Sequence, residues 1–124
     1  MPFRILAQRE LASLFTVLSH PLRLGIVFAL ADGERDVTTL VKETGATQSA
    51  VSQSLARLRA ARIVKERREA RHVYYRLTLA ALPGWLDGGY ALLSNETAQA
   101  AELHDVIERA RAVARAPARR RAAR

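Results

Sequence analysis

Between Thr47 and Leu58 lies a run of short polar side chains, Gln48, Ser49, Ser52 and Gln53, each able to donate and accept hydrogen bonds. At about 100° per residue, Val51, Leu55 and Leu58 stack on one apolar stripe while Ser49, Ser52, Gln53 and Ala56 fall on the opposite side. A solvated helix face usually carries Glu and Lys. This face instead carries groups short enough to meet base edges directly, and so it suits the major groove of DNA. Base contact is therefore expected from Ser49, Ser52 and Gln53, with Thr47 and Gln48 near the groove edge.

Such a face works only if its neighbours position it. Thr47 is the expected N-cap of the helix. Before it, residues 37–44 form a shorter helix with apolar Val37, Leu40 and Val41 to pack on its partner, and Gly45 can supply the positive φ that ends a helix. Two helices about such a turn make a helix-turn-helix, with Thr38, Thr39, Lys42, Arg57 and Arg59 as candidates for backbone phosphates. An ordinary helical hairpin with a polar outer face would share the apolar spacing, but the strand-forming segment next in the chain argues against it. Residues 63–66 and 73–78 are rich in strand formers, with Val73, Tyr75 and Leu77 alternating against Tyr74 and Arg76. Residues 67–72 between them are expected at a hairpin tip, where Arg67, Arg68, Arg71 and His72 can reach a phosphate backbone or a minor groove. The plainer alternative for that tip is a solvated basic loop.

Three segments in order, Ser19-His20-Pro21-Leu22-Arg23-Leu24, then Thr47 to Leu55, then Arg71-His72-Val73-Tyr74-Tyr75-Arg76-Leu77, make the chain resemble the ArsR/SmtB group of winged-helix repressors from about Leu11 to Leu79. The resemblance implies a mostly α fold with a small β-hairpin, a winged helix-turn-helix that dimerises through its N- and C-terminal helices. It also implies a homodimeric transcriptional repressor on double-stranded DNA. Two positions depart from the pattern: Ser54 stands where the group often has His, and Ala70 where the wing turn often has Gly, which predicts a turn of different shape.

The remaining chain reads as helix. Leu11, Leu14, Phe15 and Leu18 follow i, i+3, i+4, i+7 spacing in a helix from about Gln8, and Pro21 opens another, apolar nearly all round, to about Ala31. After the hairpin Pro83-Gly84 opens a short helix, weakened by Gly88 and Gly89, and Asn95 is a cap for the next. That last helix carries Leu103, Val106, Ile107, Ala110 and Val113 at near-heptad spacing to about Arg115. Both this stripe and Leu11, Leu14, Phe15 and Leu18 are candidate dimerisation surfaces, although packing on the chain's own domain would use the last stripe equally well. Two-fold symmetry would set the recognition helices about 34 Å apart on a palindromic operator. Residues 1–115 are read as one winged-helix domain with terminal dimerisation helices, and residues 116–124 as a disordered basic tail.

Charge follows the motif. The formal net charge is +8, of which the five arginines after Ala114 leave +3 for the rest, yet residues 42–76 alone hold nine basic side chains against three acids. A polyanion partner fits that distribution. No apolar run approaches the ~20 residues that span a bilayer and no signal-peptide pattern opens the chain, so the expectation is a cytoplasmic, nucleoid-associated protein without membrane contact. Cysteine is absent, which excludes disulfides, thiolate metal sites and thiol switches.

In the resembling group metals are held by cysteines near the first motif helix or by Asp and His pairs after the wing. Here those places read Glu34-Arg35-Asp36-Val37-Thr38 and Leu79, Ala81 and Leu92, so neither set is present. His104 with Glu108, at i, i+4, is the residual metal candidate against the plainer reading of a solvated acidic face. No cofactor is expected, and a small-molecule or metal effector is left unassigned. His20 is expected to cap the helix at Pro21. No phosphate loop, nucleophile motif or triad pattern is present, so no enzyme is expected. The alternative to a DNA regulator is a helical dimerisation or adaptor protein whose winged helix meets protein or RNA.

Overall fold

Pro21 has no N–H to donate, but its fixed φ suits a first helical turn, and it opens α2 (Pro21–Ala29) just after α1 (Pro2–Leu18) ends. The same property lets α1 start at Pro2, six residues before the expected Gln8, since nothing in residues 3–7 breaks a helix. His20 sits at the N-cap of α2 but its side chain makes no capping bond. The computed structural model describes residues 2–96 and 100–115, and the chain divides into one compact unit ending at Thr78 and another beginning at Leu79. The tail expected from Ala116 lies outside the described residues.

In the first unit a 3-10 turn (Leu30–Asp32) and the two-residue strand β1 (Arg35–Asp36) lead into α3 (Val37–Thr44) and α4 (Gln48–Ala60), followed by β2 (Val64–Glu69) and β3 (His72–Leu77). Local chemistry sets each helix end. Asp36 caps α3 by accepting from the Thr39 N–H at 2.8 Å, and Thr47 caps α4 by accepting from the Ala50 N–H at 3.1 Å. Gly45 ends α3 at φ 71°, where its N–H donates to the Val41 carbonyl at 2.9 Å. At the end of α4, Arg62 adopts φ 62° and its N–H reaches the Arg59 carbonyl, while the Ile63 N–H reaches that of Leu58, both at 2.9 Å. This six-to-one closure brings Ile63 back against Leu58, both buried, and aims the chain into β2.

The core of this unit is made by one stripe from each helix. Ile26 and Val27 of α2, Leu40 of α3, and Val51, Leu55 and Leu58 of α4 are closed to solvent, joined by Leu18, Leu30, Ile63 and Val64. Each such side chain contributes roughly 1.5–3 kcal/mol by leaving water. Because these residues leave the opposite side of α4 uncovered, core packing itself orients the polar face outward. Leu18 is therefore a core residue and not part of a dimer surface, at 4 % exposure.

The strands run in the order β1-β3-β2, all antiparallel, with Val64 opposite Leu77 and Glu69 opposite His72. This corrects the expected hairpin. Arg67, Arg68 and His72 are strand residues, and only Ala70 and Arg71 lie at the tip. The strands extend further because ladder pairing carries charged residues that no alternation of apolar side chains marks. Ala70 takes φ 54°, the left-handed conformation that usually calls for glycine. The third strand, β1, was not expected at all, since two residues carry no periodicity.

In the second unit α5 (Leu82–Glu96) and α6 (Ala101–Arg115) run side by side in opposite directions, as the pairing of Asp87 with Arg111 and of Ser94 with His104 requires. Asn95 lies inside α5 rather than capping α6, and α5 runs unbroken through Gly88 and Gly89. Leu82 and Ile107 are buried, so Ile107, expected on a dimer surface, is already covered within the chain. Among the described residues no single helix is long and apolar enough to cross a membrane.

Candidate nucleic-acid interface

The outward side of α4 presents Gln48, Ser49, Ser52 and Gln53, all exposed, with exposed Ala56 and Arg57 continuing the surface. Thr47 lies at its edge with its hydroxyl committed to the cap. Ser54 is buried, which removes it from this surface and accounts for a small side chain there. On α3, Thr38 and Lys42 are exposed and Thr39 is half-buried beside the cap it helps to form. Hydrogen bonds from Thr39, from its side chain and its backbone, hold the Asp36 carboxyl below the usual range.

The cations of the hairpin divide into two sets. Arg67 donates to Glu34 at 2.8–3.1 Å and to Glu69 at 2.6 Å, and its guanidinium lies 4.8 Å from the centre of the Tyr74 ring. The hydrogen bond from Arg67 is the main reason the Glu34 carboxyl is held low and the Arg67 guanidinium is more firmly protonated than usual. Arg59 pairs with Glu66 at 3.2 Å, and Arg68 approaches the same carboxylate at 3.7 Å. Among the described residues Lys42, Arg57 and Arg71 form no ion pair, and Arg71 stands exposed at the hairpin tip. Of the expected phosphate contacts, Arg59 and Arg67 are thus already engaged by carboxylates. Arg68 remains largely open, its side chain 74 % exposed, and the His72 ring lies 5.9 Å from that of Tyr74.

Glu34 and Tyr74, which hold Arg67 in place, carry no mark of that role in the sequence. Glu34 precedes β1 and meets Arg67 across 33 residues of sequence, and only the pairing of Asp36 with Tyr74 in the sheet brings the three together. No spacing rule could have found a contact made by a two-residue strand.

His104 and Glu108 do come together on α6, but around a serine. The buried Ser94 hydroxyl donates to the Glu108 carboxylate, while His104 Nδ1 lies 2.9 Å from the Ser94 carbonyl and 3.2 Å from its hydroxyl. The bond from Ser94 holds the Glu108 carboxyl low, and Arg111 adds to the effect. Among the described residues no group of three or more His, Asp or Glu side chains is arranged to hold a metal ion.

Known proteins are similar to this chain both in sequence and in fold. The sequence model for the group described as bacterial regulatory protein, arsR family, matches residues 20–66. The biofilm growth-associated repressor of Xylella fastidiosa is 37 % identical over 91 residues, covering 73 % of this chain and 80 % of that protein. The chain belongs to the ArsR family of bacterial regulatory proteins. Among solved structures, the transcriptional repressor BigR from Xylella fastidiosa is similar to this regulator with a TM-score of 0.64 and 36 % identity, over 74 % of this chain and 96 % of that one. NolR from Sinorhizobium fredii superposes with a TM-score of 0.66 at 29 % identity, over 74 % and 92 %. This ArsR-family protein is a DNA-binding transcriptional regulator with a winged helix-turn-helix, its wing being β2 and β3.

Proposed function

We propose that this ArsR-family regulator is a homodimeric transcriptional repressor that occupies a palindromic operator and leaves it on a signal other than thiol chemistry. One observation carries the reading: Ser49, Ser52 and Gln53 are open to solvent on a helix whose other side is core. Repression is supported by similar proteins that are themselves named repressors. Dimerisation is supported by large apolar side chains left in water, Phe3, Leu6, Leu11 and Phe15 on α1 and Leu103, Val106 and Val113 on α6, each 47–67 % exposed. A second copy would cover them, and Leu14 and Ala110, both half-buried, lie beside them. In this reading residues 1–115 act as one DNA-binding and dimerising domain in the cytoplasm, at the nucleoid. The absence of cysteine removes thiol chemistry from that signal, and a small molecule or a metal is a candidate effector.

Genomic footprinting with the purified protein is the test. Protected palindromes with half-sites one helical turn apart, bound in excess competitor and weakened steeply by salt, are the expected result. A protein that treats every duplex alike at moderate ionic strength refutes the reading, and a monomer at micromolar concentration with full operator binding refutes its dimeric part.

A further inference from the structure

Beside the base-reading face, between the start of α2 and α4, lies an open groove of about 570 Å³ lined in part by His20, Leu22, Arg23, Gln53, Ser54 and Arg57. Among the described residues no carboxylate lines it. Arg23 is half-buried, and its Nε is shut off from solvent without an acceptor. Neither Arg23 nor Arg57 forms an ion pair among the described residues, in contrast to Arg67, which pairs with Glu34 and Glu69, and to Arg59 and Arg68, which share Glu66. Arg23 thus lines the groove with its positive charge unpaired, and an anion in the groove would match that charge. The planar fork of Arg matches phosphate oxygens better than any other side chain does. Gln53 belongs both to the exposed face of α4 and to the wall of this groove, so a strand whose bases meet α4 has its backbone beside Arg23 and Arg57.

Building on the DNA-binding reading, we propose that this groove seats one backbone phosphate of the operator between Arg23 and Arg57, with His20 at its rim. Arg23 is then a DNA-positioning residue supplied by the helix that precedes the helix-turn-helix. Free inorganic phosphate carries the same oxygens; the backbone is favoured because the groove is continuous with the face that meets bases.

The test uses the full-length protein and a duplex selected for specific binding, with single neutral methylphosphonate linkages placed one position at a time. One linkage in each half-site should weaken the wild type about 10-fold, the size of a lost charge-assisted contact, should have a clearly smaller effect on Arg23→Gln or Arg57→Gln, each of which keeps only one of the two arginines, and should have none on the double variant. Arg57→Gln alters an exposed side chain and keeps the test decisive where Arg23→Gln fails to fold by circular dichroism. Equal penalties in wild type and variants at every linkage would overturn the proposal. So would a shift of the Arg23 Nε–H resonance by inorganic phosphate at constant ionic strength with no linkage coupling, which would assign the groove to a free anion. Sequence-specific binding without coupling defeats only this inference, whereas absence of any preferred duplex defeats the DNA-binding reading beneath it.

Discussion

Arg67 and Arg71 differ by four positions in sequence and by their partners in the fold, and substituting each by alanine should separate stability from DNA attraction. Arg67 lies between Glu34 and Glu69 and over the Tyr74 ring, so its charge is matched before any DNA arrives. Arg71 is exposed at the tip with no ion pair among the described residues. Each phosphate contact adds about 0.9 to the slope of log affinity against log salt, so Arg71→Ala should lower that slope by about 1.8 for a dimer. Between about 50 and 200 mM salt the wild type should therefore lose roughly 12-fold more affinity than Arg71→Ala does. Arg67→Ala should leave the slope nearly unchanged and lower the thermal midpoint, because it frees two carboxylates and unpins β2 from the segment before β1. Fluorescence anisotropy over a salt series, with a thermal melt of each variant, reads both quantities. If Arg67→Ala flattens the slope as much as Arg71→Ala while melting like the wild type, the assignment of Arg67 to the scaffold is wrong.

Gln53→Ala should cost about 1–3 kcal/mol on the selected duplex and little on random DNA, and equal losses on both in a competition assay would remove Gln53 from base reading. Leu58→Ala, at a fully buried position of α4, should cost about 2–5 kcal/mol by urea denaturation. A cost below about 1 kcal/mol would contradict a close-packed core at that position. Thr47→Ala removes the α4 cap and should cost about 1 kcal/mol in the same measurement. The Asp36 carboxyl is held below its unfolded value near 3.9, so its stabilising effect is complete above that value and disappears as pH falls through the lower folded one. The gap in urea midpoint between wild type and Asp36→Asn should accordingly be widest well above the ordinary aspartate value and narrow as pH falls below it; a constant gap would show that Asp36 acts without its charge.

Much of the fold was legible in the chain itself, because it rests on contacts between residues near one another in sequence. The stripe of Val51, Leu55 and Leu58, the cap at Thr47 and the left-handed Gly45 all act within one or two turns of helix, and the helix-turn-helix follows from them. The polar face of Ser49, Ser52 and Gln53 was legible for the same reason: a helix has two sides, and the apolar one must go inward. Tertiary structure alone decided which cations are available to a polyanion. Glu34 claims Arg67 from 33 residues away through a two-residue strand, Glu66 claims Arg59, and Arg23 is left with a buried donor unanswered. It also decided which apolar residues are spent inside, since Leu18 and Ile107 share the periodicity of their exposed neighbours and differ only in what the fold places against them. Periodicity records the face of an element, whereas pairing of charges and coverage of surface depend on elements far apart in the chain that only the folded protein brings together.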